Sequence, residues 1–289
     1  MPDGPIPSRD REGAVLNTSI AALIQQALTE DIGPGDVTTN ACVPPDRQAT
    51  GVFITRQPLT LSGTTLLQEI YDARGGVTHL ELHQTDGATL PANAPIATVN
   101  GSARTLLECE RTALNFLQHL SGIATHAHEF ATAVAGTNCQ VLDTRKTTPG
   151  LRHLEKAAAA SGGVTNHRMG LYDAILIKNN HITAAGGVTE AIASARTTGL
   201  PIEIEVRTPE ELYAALNSGV THLLLDNLTP PQAAEWIKRI QGRAKVELSG
   251  GITLETVRAY AETGADYVSV GAITHSARAV DISFRLDTA

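Results

Sequence analysis

No stretch of the 289 residues approaches the roughly 18 consecutive apolar residues of a membrane span. The N-terminus also lacks a basic segment followed by an apolar run, so neither a membrane partner nor a secretory signal is expected, and the chain is assigned to the cytoplasm. Cysteine is scarce and badly spaced for cross-links or zinc: Cys42, Cys109 and Cys139 are an odd number, far apart, with no C-x-x-C pair. That pattern excludes a disulfide framework and fits reduced thiols in a reducing compartment. Positive charge is also short. The 22 Lys and Arg against 30 Asp and Glu leave a net charge of −8. This argues against nucleic acid as a partner, because such binding neutralises many phosphates. Any anionic ligand needs a local basic cluster.

What is present is enough for a full core in one large or two ordinary domains, since hydrophobic residues make up 42% and charged ones 18%, a globular mixture. Residues 1–12, rich in proline and glycine, read as a flexible tail. Leu16, Ile20, Leu23, Ile24, Ala27 and Leu28 recur at three and four, predicting a helix that stops at the Gly33-Pro34-Gly35 break. From about 48 to 100, short β-favouring runs alternate with Gly, Pro and Asn turns around one helix near Thr64–Tyr71, the pattern of an α+β domain. A longer helix is predicted from Ala103 to Leu120, ending at Ser121-Gly122.

Beyond this point short apolar runs alternate with helices of ten or so residues. The predicted strands are Gln140–Leu142, Ala174–Ile177, Ile202–Val206, His222–Leu225, Lys245–Leu248 and Tyr267–Val270. Their spacing suits βα units of a parallel sheet. Six strands are two short of a closed barrel, so the choice lies between an incomplete barrel and a doubly wound sheet; the polar residues that end nearly every run favour a barrel with a shared rim. Those endings are Asp143-Thr144-Arg145-Lys146-Thr147, Lys178-Asn179-Asn180-His181, Glu205, Asp226-Asn227, Ser249-Gly250-Gly251 and Gly271-Ala272. Asn166-His167-Arg168 lies between the first two.

Residues 140–181 carry +3 against −11 elsewhere. Arginine offers a planar fork and lysine a compact charge, so Arg145, Lys146, Arg168 and Lys178 suit a ligand with carboxylate and phosphate groups. A solvated helix face explains Arg152 and Lys156 but not Arg145, Lys146 and Lys178, which follow buried strands. Glycine turns after the last two strands let backbone N–H groups approach a phosphate. Glu205 and Asp226, on neighbouring strands, suit a divalent cation or sugar hydroxyls, or else pair with the nearby cations. Of Glu203 and Glu205, one is expected to face the barrel interior and the other the helices. His126 and His128 are two apart on a helix and point away from each other, which argues against a metal pair. An aldolase-like Schiff base on Lys178 and a phosphate-binding regulatory barrel are the competing readings.

The motifs Asp143 to Arg152, Asn166 to Leu171, Ile177 to His181, Leu225-Asp226-Asn227, Ser249 to Ile252 and Ser269 to His275 resemble, in order, those of the quinolinate phosphoribosyltransferase family. The turn Glu30 to Thr38 and the run Glu110 to Asn115 extend the likeness over nearly the whole chain. The resemblance implies an α/β fold with an N-terminal α/β sandwich domain (13–120, joined by 276–289) and a C-terminal incomplete, seven-stranded α/β barrel (121–275). It implies transfer of phosphoribosyl from phosphoribosyl pyrophosphate to quinolinate with loss of CO2, with Mg2+, in a homodimer whose Arg111 reaches the partner's site. It assigns Arg111, Thr144, Arg145, Lys146, His167, Arg168 and Lys178 to quinolinate and its surroundings. Glu205 and Asp226 fall to ribose and metal, and Ser249, Gly250, Gly251, Val270, Gly271 and Ala272 to the 5′-phosphate. Lys146, Glu205 and Asp226 are the catalytic set.

Overall fold

The computed structural model describes residues 13–287, and of residues 13–19 the backbone only. The expected tail 1–12 lies outside the described residues. The chain forms two compact units. One comprises residues 13–126, 153–162 and 277–287, the other residues 127–152 and 163–276.

The first unit opens with α1 (Gly13–Ile32), which ends at the Gly-Pro-Gly break, and α2 (Val37–Cys42). Asp36 caps α2: its carboxylate accepts from the Thr39 N–H at 2.9 Å and from the Thr39 hydroxyl at 2.5 Å. There follow β1 (Gln48–Thr55), β2 (Leu59–Thr60), α3 (Leu66–Asp72), β3 (His79–Leu82), β4 (Thr89–Leu90), β5 (Pro95–Ser102) and α4 (Ala103–Ala133). Strands β1, β3 and β5 make an antiparallel sheet with the last strand, β12 (Ile282–Asp287), in the order β12-β1-β5-β3. Along β1 every second residue is buried, from Ala49 to Thr55, so one face packs on the core. Phe53 stacks on Phe284 with ring centroids 4.8 Å apart, and Gly51 leaves the space that the Phe284 ring occupies.

Helix α4 corrects one expectation. Ser121-Gly122 has the look of a helix end, yet the helix runs on to Ala133. The Ser121 hydroxyl accepts from the Ser62 N–H and donates to the Ser62 carbonyl. A Cβ on Gly122 would collide with the backbone of Arg278. The serine and the glycine serve tertiary contacts, not a cap.

The second unit is built on six parallel strands: β6 (Gln140–Leu142), β7 (Ile175–Ile177), β8 (Ile202–Glu205), β9 (His222–Asp226), β10 (Lys245–Ser249) and β11 (Tyr267–Ser269). They pair in the order β6-β11-β10-β9-β8-β7. Helices α6 (Asn179–Ala185), α7 (Val188–Arg196), α8 (Pro209–Asn217), α9 (Pro230–Ile240), α10 (Leu254–Ala261) and the short α11 (Ala272–His275) fall between the strands in sequence, as does α5 (Arg152–Ser161), whose residues from 153 on belong to the first unit. Outside β6 a parallel bridge joins Leu142 to Thr165, with Thr165 N donating to Val141 O and Asp143 N to Thr165 O. This bridge takes the seventh position of the incomplete barrel without forming a regular strand. Ile204, Leu223, Leu225 and Val246 are buried as parallel strands require.

Candidate active site

The cationic motif begins where β6 ends. Asp143 is fully buried and does not face a ligand: it accepts from the His167 N–H at 2.8 Å and from the Asn166 amide at 2.7 Å. It thereby ties the loop after Thr165 to the end of β6. Thr144 accepts from the Lys146 N–H at 3.1 Å, and the Lys146 carbonyl accepts from the Thr274 hydroxyl at 2.7 Å. Lys146 is exposed and its chain runs over Gly271, where a Cβ would stand 2.8 Å from Lys146 Cδ. The last strand's glycine turn is therefore the bed of the lysine.

Arg145 is half-buried, and its Nε is buried with no hydrogen-bond partner among the described residues. Arg168 is 8% exposed and spends Nη1 on the Ala174 carbonyl at 3.0 Å. Burial first, then repulsion from Arg145, lowers the pKa of Arg168, while Asp173 and Glu203 work the other way. Arg145 and Arg168 thus repel each other, and a buried donor of Arg145 has no partner among the described residues, an arrangement that an incoming anion satisfies. Arg152 is no solvated-face residue: it donates to the Thr147 hydroxyl and to the carbonyls of Met169 and Arg145. Lys156 is fully buried as well.

The acids stand on neighbouring strand ends. Glu205 Oε2 lies 3.6 Å from Lys178 Nζ. Asp226 accepts from the Ser249 hydroxyl at 2.5 Å and from the Asn227 side-chain amide at 2.6 Å. Ser249 thus spends its hydroxyl on orienting Asp226. Gly250 has φ +97°, and a Cβ there would stand 2.7 Å from Asn227 N; Gly251 has φ +63° with open space around it. Val270 is buried and donates its N–H to Leu142 O, which joins the last turn to the first strand, and Gly271 and Ala272 are half-buried.

Glu203 and Glu205 both face the barrel interior, against the expectation that one would turn to the helices. Residues two apart share a face of a strand. Glu203 on β8 meets Glu247 on β10 through His167, and with β9 between them such a meeting is possible only inside the barrel. His167 Nε2 lies 3.2 Å from Glu203 Oε2 and 3.4 Å from Glu247 Oε2, while Nδ1 accepts from the Arg168 N–H at 2.6 Å. A second ring proton would meet that N–H, so the proton the network holds lies on the carboxylate side. Glu203 is raised to about 7, by burial first and then by Glu247. Burial pushes Glu247 the same way, but hydrogen bonds from His167 and Ser269 bring it below the ordinary range. Sequence periodicity gave no signal for Glu247, which belongs to no strand-end motif.

Arg111 lies on α4 in the other unit; it is exposed, and no ion pair engages it among the described residues. No helix of the described residues is long and apolar enough to cross a membrane.

Comparison with known proteins accounts for both units. Residues 36–121 match the family described as quinolinate phosphoribosyl transferase, N-terminal domain, and residues 123–285 match its C-terminal domain. The chain is 42% identical to the nicotinate-nucleotide pyrophosphorylase (carboxylating) of Mycobacterium leprae, over 91% of this chain and 95% of that protein. It is 38% identical to the probable enzyme of the same name from Bacillus subtilis, over 90% of this chain and 91% of that one. Among solved structures, the nicotinate-nucleotide pyrophosphorylase of Francisella tularensis superposes with a TM-score of 0.90 at 36% identity, covering 94% of this chain and 97% of that one. NadC from Streptococcus pyogenes gives 0.89 at 38% identity, covering 94% and 98%.

Proposed function

The chain belongs to the quinolinate phosphoribosyltransferase family, and on that premise we propose how its residues carry the reaction. It is a decarboxylating pentosyltransferase of de novo NAD synthesis: quinolinate and phosphoribosyl pyrophosphate give nicotinate mononucleotide, pyrophosphate and CO2.

The observation that carries the assignment of the acceptor site is the buried, unpartnered Nε of Arg145 beside Arg168. A carboxylate there completes the donor's hydrogen bonding and relieves the repulsion between the two cations. Each such charge-assisted bond contributes roughly 1.5–3 kcal/mol. Lys146 and Lys178 add charge on the same rim, and Arg111, exposed and without an ion pair among the described residues, reaches the acceptor of a partner subunit in a homodimer. The 5′-phosphate rests on the turns Ser249-Gly250-Gly251 and Val270-Gly271-Ala272, through backbone N–H groups.

Glu205 and Asp226 take the ribose hydroxyls and stabilise positive charge that develops on the ribosyl carbon as pyrophosphate leaves. Their oxygen donors also fit Mg2+, which Glu205 and Asp226 would hold and which would supply positive charge against the pyrophosphate. Lys146, flexible and exposed over Gly271, follows the charge that builds on the leaving group. Once the ring nitrogen carries the ribose, the pyridinium takes up the electron pair of the adjacent C–CO2 bond as CO2 leaves, and the ring carbon then takes a proton from solvent, so no separate base is required. The protein supplies position and electrostatics. The reduced cysteines fit a cytoplasmic home.

The test is a binding measurement. Arg145→Ala should lose quinolinate binding by at least about tenfold and keep phosphoribosyl pyrophosphate binding within about twofold. Equal loss of both ligands contradicts the acceptor assignment.

A further inference from the structure

The loop that carries Arg168 is neither helix nor strand, yet its backbone is fixed. Four consecutive N–H groups each donate to a side chain: His167 to Asp143 at 2.8 Å, Arg168 to His167 Nδ1 at 2.6 Å, Met169 to Asp173 at 2.6 Å and Gly170 to Asp173 at 2.9 Å. Three of these four bonds end on a carboxylate. The exception is the one that holds Arg168 itself, whose acceptor is a ring that must in turn be held.

The barrel interior holds it. His167 Nε2 faces Glu203 Oε2 at 3.2 Å and Glu247 Oε2 at 3.4 Å, and the Ser269 hydroxyl donates to Glu247 Oε1. Glu203 and Glu247 belong to β8 and β10, so two strands meet at one imidazole, and Ser269 on the third, β11, steadies Glu247. All four side chains are buried, with Glu203 2% and Glu247 5% exposed. Two buried carboxylates are costly to fold around, and one imidazole offsets only part of that cost. Neither carboxylate reaches the rim, where Glu205 and Asp226 stand.

We infer that Glu203 and Glu247 are positioning residues for binding of the acceptor's carboxylates: through His167 they fix the backbone of Arg168 and with it the aim of the guanidinium. The inference rests on the reading of Arg168 as a carboxylate ligand. It also gives His167 a part in the site through Nδ1 and the loop.

The experiment is steady-state kinetics of the full-length chain, varying quinolinate and phosphoribosyl pyrophosphate separately, for Glu203→Met, Glu247→Met, Glu247→Gln, Ser269→Ala and Arg168→Lys. The two Met variants should raise KM for quinolinate at least about tenfold and leave KM for phosphoribosyl pyrophosphate within about twofold. Glu247→Gln, whose amide oxygen still accepts from Nε2, should recover most of the quinolinate KM. Ser269→Ala, a one-atom deletion that frees Glu247 to rotate, should raise the same KM by about three- to tenfold, and it decides the matter if the Met variants do not fold. Both KM values rising together, or a fall in kcat and melting temperature alone, would show a merely structural network and overturn the inference. Arg168→Lys separates the two readings. If it leaves the quinolinate KM unchanged, the carboxylate role of Arg168 fails. If it raises that KM while the Ser269 and Glu247 variants do not, only the positioning role fails.

Discussion

Gly271 has φ −69°, which any residue adopts, so a side chain there is opposed by space alone. The obstacle is Lys146 Cδ, the far part of a flexible chain. Gly271→Ala should therefore fold normally while pushing Lys146 off its bed. A fall in kcat/KM of about tenfold, or ~1.4 kcal/mol, is expected with an unchanged melting temperature. Unchanged kcat/KM would remove Lys146 from the working set. The thiols divide by burial. Burial pushes Cys109 and Cys139 up to about 12, whereas Cys42 is exposed. A thiol reagent at pH 8 should modify Cys42 in the native chain and the other two only after denaturation. Because the folded state keeps both buried thiols protonated, their contribution to stability is complete below the ordinary value of 9 and is lost as pH rises towards 12. Melting temperatures at pH 8 and pH 10.5 test the sign.

The elements of the barrel were legible because a parallel strand buried on both faces reads as an apolar run with a polar end. Thus β8, expected over Ile202–Val206, is found over Ile202–Glu205, and β10, expected over Lys245–Leu248, over Lys245–Ser249. The rim positions of Arg145, Lys178, Glu205 and Asp226 follow from those ends. Two things were hidden. The pairing of His167 with Glu203 and Glu247 joins residues far apart in the chain, and no local pattern announces it. The other is the length of helix α4, because Ser121-Gly122, a small-residue pair that serves packing, has the same local signature as a helix end. Ser121→Ala removes both hydrogen bonds to Ser62 in a buried setting and should cost about 1–3 kcal/mol in urea denaturation. A cost below about 0.5 kcal/mol would mean the pair is dispensable to the unit.

At the scale of the whole molecule, the proposed role of Arg111 in acceptor binding poses the question of which subunit supplies it. In the proposed homodimer the arginine comes from the partner subunit, and the arrangement predicts complementation. Arg111→Ala and Lys146→Ala should each be nearly inactive. Mixed and refolded together in equal amounts, they should regain about one quarter of wild-type activity, since half of the dimers are hybrid and each hybrid carries one intact site. No recovery in verified hybrids would place Arg111 in its own subunit's site or outside catalysis.

The C–CO2 bond of quinolinate, the last to break, is the most direct probe of the reaction described. Purified protein should be given quinolinate labelled in the carboxyl group next to the ring nitrogen, and separately in the other carboxyl, with and without phosphoribosyl pyrophosphate and Mg2+. Labelled CO2 should leave from the first position alone, only with both additions, and in equal amount to nicotinate mononucleotide. Release without phosphoribosyl pyrophosphate, or no release from folded protein, would contradict it.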